Sequence, residues 1–339
     1  MVSSHGHRAN GTLGESLLKP EKNQMPGKAA MVIAVYPFDW TRVSSLWSQL
    51  ECFSTNVDTI IVASPRRGRP ILDVVIETAK KAIPVLNGKS IQTSYFLNDR
   101  YDVGLWCDAL LEKSPDFNAS LLNEMDSPFD SFLLINDSLW AMEHSSELLD
   151  SLRQNRSLAM VSLNFNDCSE EFCASHGFWL ESVMRAFSRT GVRKFLTQKC
   201  VPSDHAHYCV DEPRIARKNC IVQNFEKDVV NLFSPGTVCG LYPGTVPTRF
   251  FPDGKPVYEF GKSTWVGNLK FWQYLRKELK FPAAKSSHPD ILEQIKILRP
   301  QDLQTCTKYI NELIVMNLTF PRNKPKPGRP KPKKGLHVG

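Results

Sequence analysis

No stretch of this sequence approaches the roughly 18 consecutive apolar residues of a membrane-spanning helix, which excludes an ordinary transmembrane segment. The opening segment, MVSSHGHRANGTLGESLLKPEKNQMPGKAA, has no apolar core of the kind a secretory leader uses. The sequence alone therefore predicts a protein that is cytoplasmic or peripheral to a membrane. Nine cysteines include no C-x-x-C pair, and their odd number fits no closed disulfide framework. In a chain of 339 residues they read as reduced thiols in a core. Five N-x-S/T triplets, at Asn10, Asn118, Asn136, Asn155 and Asn317, read as chance matches because no leader-like run is seen.

Several catalytic signatures are missing as well. There is no G-x-G-x-x-G after a first strand. Neither G-K-S triplet, at Gly88 and Gly261, has a glycine five residues earlier, so neither is a phosphate loop. No G-x-S-x-G elbow and no H-E-x-x-H motif occurs. Acid is absent from the final stretch, PRNKPKPGRPKPKKGLHVG. Its seven cations (Arg322, Lys324, Lys326, Arg329, Lys331, Lys333 and Lys334) equal the whole formal charge of +7, which leaves residues 1–320 neutral. A neutral body makes no general electrostatic case for nucleic acid, so no specific nucleic-acid partner is expected.

What is present is a core-forming chain, 42% hydrophobic and 23% charged, with an alternating pattern. Residues 1–29 are polar and aperiodic and are expected to be disordered, as is the basic tail at 321–339. Between them, 30–320 reads as one α/β domain. AAMVIAV, VDTIIVASP, IQTSYFLN, FDSFLLIND and SLAMVSLNF are apolar runs of strand length. The segments between successive runs carry helical spacing. Strand and helix in turn argue for a mostly parallel sheet with helices on both faces. The second half reads as more helical: GFWLESVMRAFSRTGVRKFLTQ has helical spacing, and VDEPRIARKNCIVQNFEKDVVNLFSPG reads as a helix broken near Asn219.

Ligands of such sheets bind outside the carboxyl ends of the strands. Those ends carry Tyr36-Pro37, Ser64-Pro65, Asn98 to Asp102, Asn136 to Ser138, and Asn164 to Asn166. In FLLINDS, the row Asn136, Asp137, Ser138 is compatible with a polar turn. It is equally a place to hold a divalent ion, or the ribose and phosphates of a sugar nucleotide. In NDRYDVGLW, Asp99 and Asp102 suit a helix N-terminus, and also a site for a base or sugar hydroxyl. CVPSDHAHYC gathers Cys200, His205, His207 and Cys209 at a spacing that matches no common zinc site. PRRGRP, at Pro65 to Pro70, has the look of a minor-groove hook but falls where a strand-to-helix loop is expected.

Taken in order, three segments resemble the rhamnan synthesis protein F family of glycosyltransferases. NDRYDVGLW is similar to its N-x-G-x-D-x-G-x-W/F segment, FLLINDSLWAM to its strand ending in Asn-Asp-Ser, and HGFWLESVMRAFSRTGVRKFL to its His-containing helix. NCIVQNFEKDVVNLF and LKFWQYLRKELKFPAAK resemble its later segments, so the likeness spans roughly residues 30–290. The resemblance implies a Rossmann-like, GT-A-type fold with a helical C-terminal portion. It also implies a nucleotide-sugar donor, of rhamnose or another hexose, and a polysaccharide or lipid-linked glycan acceptor.

Sugar transfer breaks a sugar–diphosphate bond, so charge growing on the diphosphate must meet a metal or a Lys/Arg cation. An inverting enzyme also needs a carboxylate to take the acceptor's proton. On that basis Asp137 is the candidate ligand for Mn²⁺ or Mg²⁺ and a catalytic residue, and Glu226 is the candidate base. Tyr36, Asp102, Asn136 and Ser138 are the candidate donor-binding residues. Lys285 and Arg217 are candidate diphosphate cations, and His176 reads as a packed or capping histidine. The competing reading is a non-catalytic binding or scaffold relative, with the tail touching nucleic acid or anionic surfaces.

Overall fold

The computed structural model of the chain describes residues 27–97, 101–111, 129–167, 176–200, 209, 214–244, 247–250, 256–258, 269–285, 306–315 and 318–320. The first half follows the alternation. β1 (Lys28–Ala34), α1 (Trp40–Cys52), β2 (Thr59–Pro65), α2 (Arg69–Ala82), β3 (Ser90–Phe96), α3 (Tyr101–Leu111) and β4 (Phe129–Asn136) come in turn. A short β5 (Leu139–Ala141), α4 (Glu147–Gln154) and β6 (Met160–Asp167) follow. Next are β7 (Phe178–Leu180), β8 (Met184–Ser188), α5 (Arg189–Phe195), α6 (Arg214–Ile221) and β9 (Val238–Pro243). β10 (Pro247–Phe250) and β11 (Pro256–Tyr258) form a separate antiparallel pair. α7 (Leu269–Leu279) and β12 (Ala283–Lys285) bring the chain back to β5, and α8 (Ile310–Ile314) is the last described helix.

An eight-stranded mixed sheet runs in the order β3-β2-β1-β4-β8-β6-β7, with β9 also on β6. β1 to β4 are mutually parallel, β8 is antiparallel between β4 and β6, and β9 is parallel to β6. The fold is Rossmann-like, a mostly parallel sheet with helices on both faces. β1 shows why its sequence is a continuous apolar run rather than an alternating one. Met31 and Ile33 pack with α1, α2 and α4, while Ala30, Val32 and Ala34 pack with α3 and the segment following α5.

The chain winds outward from β1 to β3 and then crosses back to place β4 on β1's other side. The gap between the carboxyl ends of β1 and β4 is therefore the topological switch point, where open α/β sheets form a crevice. Trp106 seats α3 across this join by donating its indole N–H to Ile135 O at 3.0 Å. A cavity of about 420 Å³ lies at the opposite, amino edge, lined by Lys28, Asp58, Lys89 and neighbours. There Asp58 accepts from Ala29 N, and Lys89 donates to the carbonyls of Thr55 and Val57. The polar groups of that cavity are spent on holding strands together.

Three expectations are corrected. The span from Gly177 to Gln198 is not one helix but β7, a turn, β8 and α5. β8 lies between two strands and is buried on both faces, with Met184 and Ala186 in one core and Phe187 in the other. An apolar run of that kind has the same appearance as a buried helix. The VDEPRIARKNC segment gives α6, then a wide turn at Val222–Lys227 and a tight one at Asp228–Leu232, so the irregularity falls after Ile221 rather than at Asn219.

The cysteines are not a set of core thiols. Cys52 bonds Cys306, Cys107 bonds Cys200, and Cys209 bonds Cys220, while Cys239 is a free, half-buried thiol. Two of these bridges join positions 254 and 93 residues apart, so no local spacing marks them. They also remove Cys200 and Cys209 from any zinc site. His205 and His207 of that motif lie outside the described residues, as do the terminal segments 1–26 and 321–339.

The Cys52–Cys306 bridge brings the 306–315 segment onto α1 beside Glu51, which is only 4% exposed. Glu51 Oε1 accepts from Lys308 N at 3.3 Å. Burial nevertheless pushes the carboxyl up to about 7, against the opposing pull of the Lys308 and Tyr309 amides and the Lys308 charge. A raised acid binds protons more readily folded than unfolded, so its burial is costless below the unfolded value. Stability is then lost as pH rises toward and through 7. The full cost is on the order of 3 kcal/mol. Glu51→Gln is expected to match the parent near pH 4.5 and to exceed its stability above pH 7, as read from denaturant unfolding across that range.

Candidate functional site

α1 begins at the ligand edge. Asp39 caps it, its side chain accepting from Arg42 N at 2.9 Å. Arg42 then stands in the first turn, where the helix dipole disfavours a cation and where no acid of the helix offsets it. Its compensation is tertiary: the guanidinium pairs with Asp137 Oδ1. Asp137 Oδ2 accepts from Tyr36 N at 2.6 Å, and Asp137 N donates to Ala34 O at 3.0 Å. One fully buried carboxylate thus ties the ends of β1 and β4 and the start of α1 at the switch point.

Asn136 and Ser138 complete the turn. Asn136 Oδ1 accepts from Ser138 N at 3.1 Å and from Ser138 Oγ at 2.5 Å, and Gln49 Nε2 donates to Asn136 O at 2.8 Å. FLLINDS does end in a polar turn, and that turn is buried. Asp102, in the first turn of α3, takes a hydrogen bond from the Asn136 side chain. Burial raises the Asp102 carboxyl above its usual range, with Arg42 and Lys285 pulling it back. Asp137 moves the same way, driven by burial against Arg42 and assisted by the neighbouring Asp102 charge.

Lys285 enters from β12, whose pairing with β5 sets it opposite Leu139. Its ammonium donates to Ser138 Oγ at 2.7 Å. Burial lowers its pKa, and Glu181, Glu226 and Asp102 act against that. Glu226 lies in the wide turn after α6, half-buried, with Oε1 accepting from Ser182 N at 3.3 Å. A buried Arg185 holds that turn in place. Its guanidinium donates to the carbonyls of Leu180, Glu181, Phe225 and Glu226, bridging β7–β8 to the Glu226 segment. Burial pulls Arg185 down to about 10, opposed by Glu226 and Glu181.

At the carboxyl end of β6, Asn166 Nδ2 donates to Glu181 Oε1 at 3.2 Å. Asn164 is fully buried, yet neither atom of its amide has a hydrogen-bond partner among the described residues; Asn166 Oδ1 is likewise unpaired there. Buried polar atoms are almost always paired, so three open ones near one strand end stand out as a group, although single ones occur elsewhere, at Trp47 Nε1 and Ser94 Oγ. Gly244 borders this corner; a Cβ on it would stand 2.6–2.8 Å from Asn166 and Glu181 side-chain atoms.

The structure therefore gathers Tyr36, Asp102, Asn136, Asp137, Ser138 and Glu226 on one edge, together with Lys285. Tyr36 contributes through its backbone amide. Arg217 lies in α6. Arg42, Glu181 and Arg185 were not singled out in the sequence, whereas Asn164 and Asn166 belong to a strand end read there; of the three, only Arg42 left a signal, as a cation set against a helix dipole. As arranged, the residues do not fit a divalent ion: both Asp137 oxygens are engaged, one of them by a guanidinium. No cluster of three or more His, Cys, Asp or Glu among the described residues is placed to hold one.

No family model and no curated protein matches the chain, so the resemblance to the rhamnan synthesis protein F family stands on the quoted motifs alone. Solved structures that match include the apo form of the glycosyltransferase GlyE of Streptococcus pneumoniae, at 12% identity and a TM-score of 0.34 over 62% of this chain. A second GlyE structure matches at 10% identity and 0.35 over 63%. An active-site mutant of LgtC matches at 12% identity and 0.33 over 65%. The chain spans 45% of the length of each GlyE chain and 74% of LgtC.

The corner is testable by itself. Arg42→Met strands a buried carboxylate and is expected to cost about 3–5 kcal/mol. Adding Asp137→Asn should recover a large part of that loss. Equal unfolding free energies for the single and double variants would show that the pair does not hold the corner.

Proposed function

We propose that the protein is a glycosyltransferase that binds a nucleotide-sugar donor at the switch point between β1 and β4 and transfers the sugar, rhamnose or another hexose, to a glycan acceptor. One observation carries this reading. A mixed-charge cluster of buried Asp137 and half-buried Asp102, Arg42, Lys285 and Glu226 converges on the carboxyl edge of the sheet, beside the buried Asn164 amide and Asn166 Oδ1, which have no partner among the described residues. Polar atoms left open beside such a cluster support an edge that receives a polar ligand.

The roles follow from position. Asp102 and Asn136, hydrogen-bonded to each other, offer oxygen and amide groups to the donor's ribose or base. Ser138 and Lys285 face the diphosphate, and Lys285 supplies the cation that meets its growing charge. Asp137 is a positioning residue, fixing the Tyr36 amide and Arg42. Glu226, across Lys285 from the donor corner, accepts the acceptor hydroxyl's proton. Asn164 and Asn166 bind sugar hydroxyls. No step is assigned to Mn²⁺ or Mg²⁺, since Asp137 does not fit a metal ligand while Arg42 holds it.

Thermal unfolding in the presence of a panel of sugar nucleotides tests the proposal. A cognate donor at a hundredfold excess over its Kd adds about 2.7 kcal/mol. That gain is expected to persist in EDTA and to vanish in Lys285→Met. Glu226→Gln should keep the donor-induced shift and lose on the order of 10²–10⁴ in transfer or donor hydrolysis. A shift that requires Mn²⁺ would return the cation role to a metal at Asp137. No shift with any donor would favour the non-catalytic reading.

A further inference from the structure

The disulfides bear on where the chain folds. Six of the seven cysteines among the described residues are paired, and the pairs join α1 to the 306–315 segment, α3 to the turn after α5, and residue 209 to α6. Bridges of this kind form and persist in oxidising compartments and are rare where glutathione keeps thiols reduced. The expectation of a cytoplasmic protein, and with it the dismissal of the N-x-S/T triplets, rested on the lack of a leader-like apolar run; the paired cysteines point the other way.

Two of those triplets have their asparagine and their hydroxyl residue both described, and they differ in one respect. Asn136 and Asn155 adopt the same local form. Asn155 Oδ1 accepts from Ser157 N at 3.1 Å and Ser157 Oγ at 2.6 Å, just as Asn136 Oδ1 does from Ser138. Asn136, however, is 4% exposed, its carbonyl held by Gln49 and its side chain by Ser138 and Asp102, so a glycan there is incompatible with the fold. Asn155, Arg156 and Ser157 are all exposed, in the turn that leaves α4 for β6. That turn lies at the amino end of β6, whereas the proposed site is at its carboxyl end. A glycan at Asn155 projects into solvent and leaves the donor corner open.

We propose that the chain matures in an oxidising, secretory-type compartment and carries an N-linked glycan on Asn155. In the modification, Asn155 Nδ2 attacks the anomeric carbon of a lipid-diphosphate-linked oligosaccharide. The C–N bond forms as the carbon–oxygen bond to the diphosphate breaks. The lipid diphosphate leaves with the bonding pair, and the amide proton passes to the transferring enzyme's base. This inference does not depend on the transferase reading, because neither Asn155 nor the bridges belong to the candidate site.

The test expresses the full chain in eukaryotic cells, both as it stands and behind a cleavable secretory leader. Denatured protein is alkylated before and after reduction, and the peptide containing Asn155 is mapped by mass with and without an N-glycosidase. Material recovered from the secretory lumen is expected to show at least six thiols only after reduction, and an Asn155 peptide that shifts by one glycan. Asn155→Gln and Ser157→Ala should each lose that glycan and keep the donor-induced thermal shift. Chain from the lumen with all nine thiols free would overturn the proposal. So would correctly oxidised, folded chain whose Asn155 is unmodified, and so would chain without the leader that folds with the same stability in the cytosol, fully reduced.

Discussion

The ion pair of Arg42 with Asp137, closed by the Tyr36 amide, is the constraint on which the ligand edge depends. β1 and β4 are adjacent strands, but the chain between them passes through β2, β3 and three helices. Their carboxyl ends diverge toward different connections, and ladder hydrogen bonds alone do not fix where each chain turns. A single carboxylate that accepts from the first residues after β1 and from the first turn of α1 sets both turns at once. Burying that charge is expensive and is repaid only when every lone pair finds a donor. The cost makes the arrangement exacting: it holds in one geometry or not at all, and that is what a binding corner requires.

The antiparallel β8 extends the same logic to the far side of the site. Inserted between β4 and β6 and antiparallel to both, β8 starts near their carboxyl ends, which puts the β7–β8 connection with Glu181 and Ser182 on the ligand side. Arg185 then reads the backbone of that connection and of the Glu226 turn together, through four carbonyls. Five donors in a rigid fork suit this task, and a lysine does not. Glu226 is thus held by a residue whose own charge sits among Glu181 and Glu226, and the acid side of the edge is positioned by the same means as the donor side: one buried charge organising backbone from several elements.

The first half of the fold was legible because its signals are local. Strands buried on both faces give apolar runs, helices between them give periodicity, and the row Asn136-Asp137-Ser138 marks a strand end whichever way it is used. The candidate residues Asp102, Asn136, Asp137, Ser138 and Glu226 could be named from strand ends and family-like motifs, and they do meet on one edge. What was hidden depends on distance along the chain. Bridges across 254 and 93 residues leave no spacing to read. β8 imitated a helix because a doubly buried strand has no polar face. Lys285 reaches Ser138 only through the pairing of β12 with β5, a contact between residues 147 apart.

α1 shows what kind of sequence signal survives that distance. It carries a cation, Arg42, in its first turn and an acid, Glu51, in its last, each opposed to the helix dipole. A solvated helix with that arrangement would be improved by exchanging the two. Both are retained because each is answered from outside the helix: Arg42 by Asp137 at the ligand edge, Glu51 by the amides of Lys308 and Tyr309 beside the Cys52–Cys306 bridge. The two answers are unequal. Arg42 is compensated by a full charge, whereas Glu51 has only amides and one lysine and keeps a strongly raised pKa. The bridge at the neighbouring residue holds the 306–315 segment beside that carboxyl, which keeps water from it and so keeps the pKa raised. Charges placed against a helix dipole therefore point to the two tertiary attachments of α1, one at the ligand edge and one beside a covalent bridge.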